Sequence, residues 1–397
     1  MKLFQPGELR LLWPFYLDAL LSPMLYFAPA FFVLYFRGIS LTITQISILI
    51  AIGPLFSLIS EVPTGAFADL YGRKASVLLS HFLSAIGYGM LIFFKDFFAL
   101  AAVFAFIGIA MTFSSGAKEA WVFDLIRNRS KSLFAHYTAK IQAINAFGLI
   151  ASGLLGVLLV KIFGLFIIWP AVMISYFVSF AVLLAASEKK VQKDTHTAHT
   201  ITELAVQASA SLKFCWKKSI LLMILAASAI ILFALNFASV ISWTPFLTKL
   251  YLPDYAFGYI WSVMALASML SAVASHVFLK HGKERAFILA SIILVALVSS
   301  VILFVNNIVL AVIVFASQCF FIDLMQPAKR VYFHRFIPSK LRATIGSVEG
   351  MLLSLVGIIS MPISGILVDS IGARYTIFLT ALLLMPAAAI YFLIKEK

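Results

Sequence analysis

Twelve apolar stretches follow one another along this chain, at roughly 11–36, 42–68, 75–94, 97–125, 134–160, 163–186, 219–248, 255–279, 285–305, 307–329, 342–368 and 373–394. About 20 apolar residues in a helix cross the hydrocarbon core of a bilayer. Inside lipid the backbone must satisfy its own hydrogen bonds, and stretches this long do so as helices. Composition agrees, because 63% of the 397 residues are hydrophobic and mean hydropathy is +1.05. Charged residues make up 12%, half of the roughly 25% usual in soluble domains. The chain is expected to be an all-α membrane protein. The opening MKLFQPGELR leads into an apolar run longer than the 7–15 residues or so of a signal-peptide core, with no small-residue cleavage site after it, so it reads as a retained first span.

The cations set the orientation. With both termini on the cytoplasmic side, the inner segments hold 23 of the 30 Lys and Arg residues. The outer loops hold five: Arg37, Lys95, Lys161, Lys249 and Arg374. Lys118 and Lys140 fall within spans. The positive-inside rule therefore predicts cytoplasmic termini, in a multi-pass protein of the plasma (inner) membrane. The net charge of +14 is spread through short loops, so it reports topology and does not point to nucleic acid. Two cysteines, Cys215 and Cys319, support neither a disulfide framework nor a cysteine-based metal site. No cofactor is implied.

Residues 187–218 are the one long polar segment. They divide the chain into a six-span half (1–186), a cytoplasmic linker (187–218) and a second six-span half (219–397). Within the linker Ile201, Leu204, Ala208, Leu212 and Cys215 recur at helical spacing, predicting an amphipathic helix on the inner membrane face. His196 and His199 have metal-like spacing, but in a polar linker they read as solvated. The halves resemble each other. Span 1 starts near 11 and span 7 near 219, an offset of 208. Gly148 and Gly156 recur as Gly357 and Gly365, each at 209. Two six-span halves related by a repeat put a substrate site between them near the bilayer midplane.

Residues 61–75, EVPTGAFADLYGRKA, concentrate four charges, two glycines and a proline in this apolar chain. The stretch joins spans 2 and 3 on the inner side. It resembles the signature loop of the major facilitator superfamily, G-x-L-a-D-r-x-G-r-k. Gly65, Ala68, Asp69, Gly72, Arg73 and Lys74 match. Phe67 stands for the usual Leu and Leu70 for the usual basic residue. IPSKLRAT (337–344) resembles the family's loop between spans 10 and 11. The resemblance covers the whole chain and implies twelve transmembrane helices in two pseudo-symmetric six-helix bundles. It further implies a secondary transporter, usually monomeric, that moves a small-molecule substrate by alternating access. By the same resemblance Asp69 meets the Arg342–Thr344 region, and Arg73 pairs with Asp124 at the inner end of span 4. Those contacts would lock the halves on the inner side while the cavity faces out. SGILVDSIGARY (364–375) falls on the outer side and reads as an end-of-span turn. LKHGKER (279–285) holds the position equivalent to 65–75 in the second half and lacks the acid.

Seven ionisable residues lie within spans: Asp18, Glu61, Lys118, Glu119, Lys140, Asp323 and Glu349. Each is 7 or 8 residues from its cytoplasmic boundary, so they form a layer about 10–12 Å below the inner surface at ~1.5 Å per residue. Such residues are costly in lipid and mark functional sites. Two readings stand. In one, they form a gating ion-pair network, with Glu61 paired to Lys118 or Lys140. In the other, two cations cannot neutralise five acids, so at least one acid binds a proton and couples transport to the proton gradient. Asp18, Glu119 and Asp323 lead here, because their spans line the cavity in the superfamily; Glu61 and Glu349 follow. Lys118 either balances an acid or meets an anionic substrate. Tyr26, Ser114, Gln142, Asn145, Asn236, Trp243 and Gln318 are further lining candidates. Such a lining suits an amphipathic organic molecule better than a sugar. The stretch SGLLGV (152–157) aligns with the Gly-Pro-x-x-Gly-Gly pattern of the family's proton–drug exporters, keeping Gly156 but lacking the Pro and the last Gly.

A proton-coupled exporter of amphipathic compounds leads, ahead of an importer of a nutrient or metabolite. A membrane-embedded enzyme finds no support, since HExxH, GxSxG and carboxylate–metal patterns are absent. A non-transporting sensor would want an appended signalling domain, and none is present.

Overall fold

The computed structural model describes residue 4 and residues 7–126, 131–188, 218–280, 282–338 and 341–394. The amphipathic linker helix expected over 201–215, with His196 and His199, lies outside the described residues.

Helix is the only regular structure among the described residues. The first half comprises α1 (Glu8–Leu25), α2 (Ala28–Gly38), α3 (Ile43–Tyr71), α4 (Arg73–Met90), α5 (Phe97–Thr112), α6 (Ala117–Ile126), α7 (Lys131–Phe163) and α8 (Ile168–Leu184). The second comprises α9 (Ser219–Leu235), α10 (Val240–Lys249), α11 (Phe257–Phe278), α12 (Glu284–Val301), α13 (Ile308–Arg335), α14 (Arg342–Ile371) and α15 (Ala373–Leu393). Among the described residues, eleven segments are long and apolar enough to cross a membrane. The twelfth expected span is α4, which is helical but less apolar. Its Ser76, Ser80, His81, Ser84 and Tyr88 fall at helical spacing and are all buried. Lipid-facing positions elsewhere carry large apolar side chains such as Leu154, Leu158 and Ile162 in α7.

Three spans are broken where the sequence reads as continuous. Span 1 divides between α1 and α2 at Tyr26–Phe27, with Pro23 before the break and Pro29 opening the next helix. Span 4 divides at 113–116, where Gly116 has φ 68°. Span 7 divides between α9 and α10 at a short 3-10 turn, Asn236–Ala238. Tyr26 and Asn236 stand 210 positions apart, close to the repeat offset. Helices interrupted at matching places in two halves are a mark of transporter substrate sites. The glycine repeat is not mirrored in packing. A Cβ on Gly156 would meet Phe31 at 2.7 Å, whereas Gly357 has open space.

The chain forms two compact units, Met1–Gln192 with Pro253–Ala265, and Lys193–Leu252 with Leu266–Lys397. The first part of α11 thus groups with the first unit. There, Gly153 and Gly258 approach so closely that a Cβ on either would meet the other residue's carbonyl or its neighbours, and Ser262 Oγ donates to Ile150 O at 2.7 Å. Within this unit α1 packs on α7 and α8, and α4 on α5 and α8. Within the second, α12 packs on α13 and α15, and α9 on α14 and α15.

One turn occurs twice. Gly72 joins α3 to α4 at φ 100°, ψ 152°, and Gly372 joins α14 to α15 at φ 88°, ψ 157°. In both, the glycine N–H donates four residues back, to Ala68 O at 3.0 Å and Val368 O at 3.1 Å. Two residues on, a cation caps carbonyls at the end of a neighbouring helix. Lys74 donates to Leu184 O (2.8 Å) and Ala186 O (2.6 Å). Arg374 donates to Leu303 O (3.2 Å) and Val305 O (2.6 Å). The 364–375 stretch does end a span, but its backbone is that of the 65–75 loop.

Candidate functional site

The first unit gathers most of the candidate charges. Asp18 lies on the inward face of α1, with its side chain fully buried. Its Oδ2 pairs with Lys118 Nζ at the start of α6, and its Oδ1 accepts from the Ser179 hydroxyl of α8. Lys118 keeps 34% of its side chain exposed. Beside this pair is a cavity of about 110 Å³. Phe15, Ala19, Pro23 and Ile141 supply its apolar wall; Ser22, Tyr137 and Asn145 face it beside Asp18 and Lys118. Polar and apolar lining alternate around one ion pair, the pattern that orients a molecule with both characters.

A second buried pair joins α1 to α7. Lys140 Nζ of α7 donates to Glu8 Oε1 at 2.6 Å, and the Tyr16 hydroxyl donates to the same oxygen. Glu8 is 1% exposed. Thus both intramembrane lysines are taken by acids of α1, and Glu61 is exposed on α3 with neither as partner. Glu8 did not stand out in the sequence because it precedes the first apolar stretch.

The 65–75 loop is tied to its own unit. Arg73 pairs with Asp124 and donates to Ala120 O at 2.7 Å, both on α6. Glu188 Oε1 accepts from the Lys74 backbone at 2.9 Å. Gly65 and Asp69 are exposed on the last turns of α3.

Other candidates are dispersed. Tyr26 stands at the span 1 break, its hydroxyl 3.2 Å from that of Tyr88. Ser114, in the span 4 break, bonds locally to Met111 O at 3.0 Å. Glu119 and Gln142 are exposed. In the second unit Asn236 donates to Ser360 Oγ at 2.6 Å, and Gln318 donates to Ser299 Oγ at 2.7 Å. Both amides are buried and tie helices together. Trp243 packs on Phe315 at 5.3 Å. Asp323 has Ser268 as a polar neighbour, and Glu349 has Lys329, Arg330 and His334 as basic neighbours. The loop at 279–285 does carry an acid in its fold: Glu284 is buried and lies 3.8 Å from Arg335.

Unread in the sequence was an aromatic cluster beside the ion pair. Tyr88 of α4 stacks on Tyr176 of α8 at 5.3 Å and 13°, and His81 lies 5.8 Å from Tyr176. The signal was present as the polar stripe of span 3.

Twelve expected helical spans in two halves, broken helices at matching positions and a buried ion pair beside a small cavity point to a polytopic transporter. The family model described as Major Facilitator Superfamily matches residues 16–348. The chain belongs to that superfamily and is a secondary transporter, not an enzyme. It is similar to the "Uncharacterized MFS-type transporter YxaM" of Bacillus subtilis (strain 168), at 24% identity over 370 residues, 92% of this chain and 90% of the relative. The solved nucleoside transporter NupG superposes with a TM-score of 0.78 at 16% identity, over 96% of this chain and 99% of that one. A bacterial homolog of the human lysosomal transporter Spinster, inward-facing and occupied, gives 0.72 at 14%, over 98% and 97%. At such identities the two structures speak to fold alone.

Proposed function

We propose that the protein is a proton-coupled transporter of a small amphipathic organic molecule, exporting it by alternating access. In this reading it works as a monomer in the plasma (inner) membrane with both termini cytoplasmic. The observation that carries it is Asp18, a fully buried carboxylate held by Lys118 and Ser179 at the wall of a mixed polar and apolar cavity. A buried ion pair contributes little net stability, so its place beside a cavity argues for use. The Asp69 loop, with Arg73, Lys74 and Asp124, serves as the inner latch. Import of a more polar metabolite is the second reading, favoured by Asn145, Tyr137 and Ser22 beside the pair.

The test is proton movement in proteoliposomes carrying a pH-sensitive dye, with panels of amphipathic amines, aromatic carboxylates and nucleosides. The parent is expected to move protons with one panel and Asp18→Asn to lose this movement. Substrate flux with no proton movement in the parent would sink the coupling. Import under an inward proton gradient would replace the exporter reading.

A further inference from the structure

His81 sits mid-way along α4, on the buried face it shares with Ser80, Ser84 and Tyr88. The residue is 8% exposed, and among the described residues neither ring nitrogen has a hydrogen-bond partner. Buried polar groups in native proteins are nearly always bonded, and each exception asks for an explanation. Asp18 of α1, with its partner Lys118 of α6, reaches the same helix α8 as the ring does, accepting from Ser179 one turn from Tyr176. From α8 the ring meets the phenol of Tyr176, which is stacked in turn on Tyr88, and Tyr88 meets Tyr26. Helix α5 offers no titratable group between Phe97 and Thr112. Glu61 and Asp69 of α3 and Glu119 of α6 are exposed, and Asp124 is held by Arg73. One buried carboxylate therefore has two basic groups near it, and only Lys118 is engaged.

We infer that His81 is the residue that takes the coupling proton, and that it does so by exchanging with Lys118 as the counter-ion of Asp18. In the state described, Lys118 pairs with Asp18 and the imidazole is unbonded among the described residues. When the cavity admits solvent, a hydronium ion gives its proton to a ring nitrogen. One N–H bond forms, one O–H bond breaks and a water molecule is left. The imidazolium then balances Asp18 from span 3. The Lys118 ammonium, already a third exposed, turns to the cavity, where it binds an anionic group. The substrate class is accordingly an organic anion with an apolar body, such as an aromatic carboxylate. This inference rests on the proton-coupled reading and assigns its proton to an imidazole; because the proton and the anion bind together, it takes that reading in its second, importing form.

The first measurement needs no substrate. Full-length protein labelled with ¹⁵N-histidine, in phosphatidylethanolamine–phosphatidylglycerol liposomes, is titrated by solid-state NMR between about pH 3 and 8, a range that extends below the one in which exposed imidazoles change charge. The His81 signal is assigned by its loss in His81→Phe and in His81→Gln. It is expected to titrate, and its titration is expected to move in Asp18→Asn. A signal unchanged across the range, or indifferent to Asp18→Asn, overturns the inference. The second measurement takes whichever compound the parent transports. His81→Phe should lose about a hundredfold in coupled proton flux, as expected when a proton-transferring group is removed, while still exchanging compound across the membrane. Parental proton flux in His81→Phe overturns the inference but leaves proton coupling standing. A parent that exchanges compound and moves no protons removes the coupling itself, and with it the role of His81.

Discussion

At the scale of single residues, Asp18 has the most demanding environment. Its side chain is fully buried, and Lys118 and Ser179 compensate it among the described residues. Removing one member of a buried pair leaves the other charged and unpaired, which costs about 3–5 kcal/mol. Lys118→Met should therefore lower the thermal midpoint in detergent. Asp18→Asn combined with Lys118→Met should recover much of the loss, because no buried charge remains. If the double variant is the less stable of the two, the pair is not the stabilising unit. The same argument applies to Glu8 and Lys140, with Phe4 adding a ring 4.6 Å from the ammonium. These charges were legible in the sequence because an ionisable group inside an apolar run is conspicuous. Their pairing was not, since it depends on which helix faces which. Glu8 escaped notice for lying outside the run, and His81 because a single histidine hardly alters the hydropathy of its span.

At the scale of elements, the two glycine turns carry the clearest expectation. Their φ of 100° and 88° with ψ near 155° falls in a region essentially reserved for glycine and costs other residues of order 1–3 kcal/mol. Gly372→Ala should show this strain alone, because a Cβ there meets nothing closer than Lys249 Nζ at 3.9 Å. Gly72→Ala should cost more, since its Cβ comes within 3.1 Å of Glu188, whose carboxylate holds the Lys74 backbone. Unfolding in denaturing detergent would rank them, and equal losses would deny the Glu188 contribution. Span extents were legible because length and hydropathy suffice for them. The breaks at Tyr26, 113–116 and Asn236 were not. A proline or an asparagine hardly alters the mean hydropathy of a long window, and only packing decides whether a helix continues through it.

At the scale of the whole molecule, repetition was legible in outline. Span number, the polar linker and the signature loop led to the superfamily, which the family match over 16–348 establishes. Finer symmetry was misplaced onto glycines, whereas the structure keeps it in the interrupted helices of spans 1 and 7. Close packing of Gly153 against Gly258 joins α7 to the start of α11 through backbone contact. A valine at Gly153 would collide with Gly258 O and Ser262, and an inserted side chain in a packed interior typically costs ~1–3 kcal/mol or more. The expected result is a protein that still inserts but melts earlier, checked by thermal unfolding beside Gly164→Val, where a Cβ meets open space although φ is 74°. If both variants behave alike, backbone strain rather than collision sets the cost.

The serine and histidine stripe of α4 has a consequence for biogenesis. A segment leaving the translocon is sorted by its own hydrophobicity, and residues 73–90 present Ser76, Ser80, His81 and Ser84 to whatever surrounds them at that moment. In the finished bundle α5 and α8 cover those groups, but neither has been synthesised when α4 emerges. The third span should thus hesitate at the channel until its successors arrive. In a glycosylation-mapping assay, residues 73–90 in a carrier protein are expected to insert poorly alone and to insert well when residues 97–186 follow. Full insertion of the isolated segment would mean that lipid tolerates the stripe unaided.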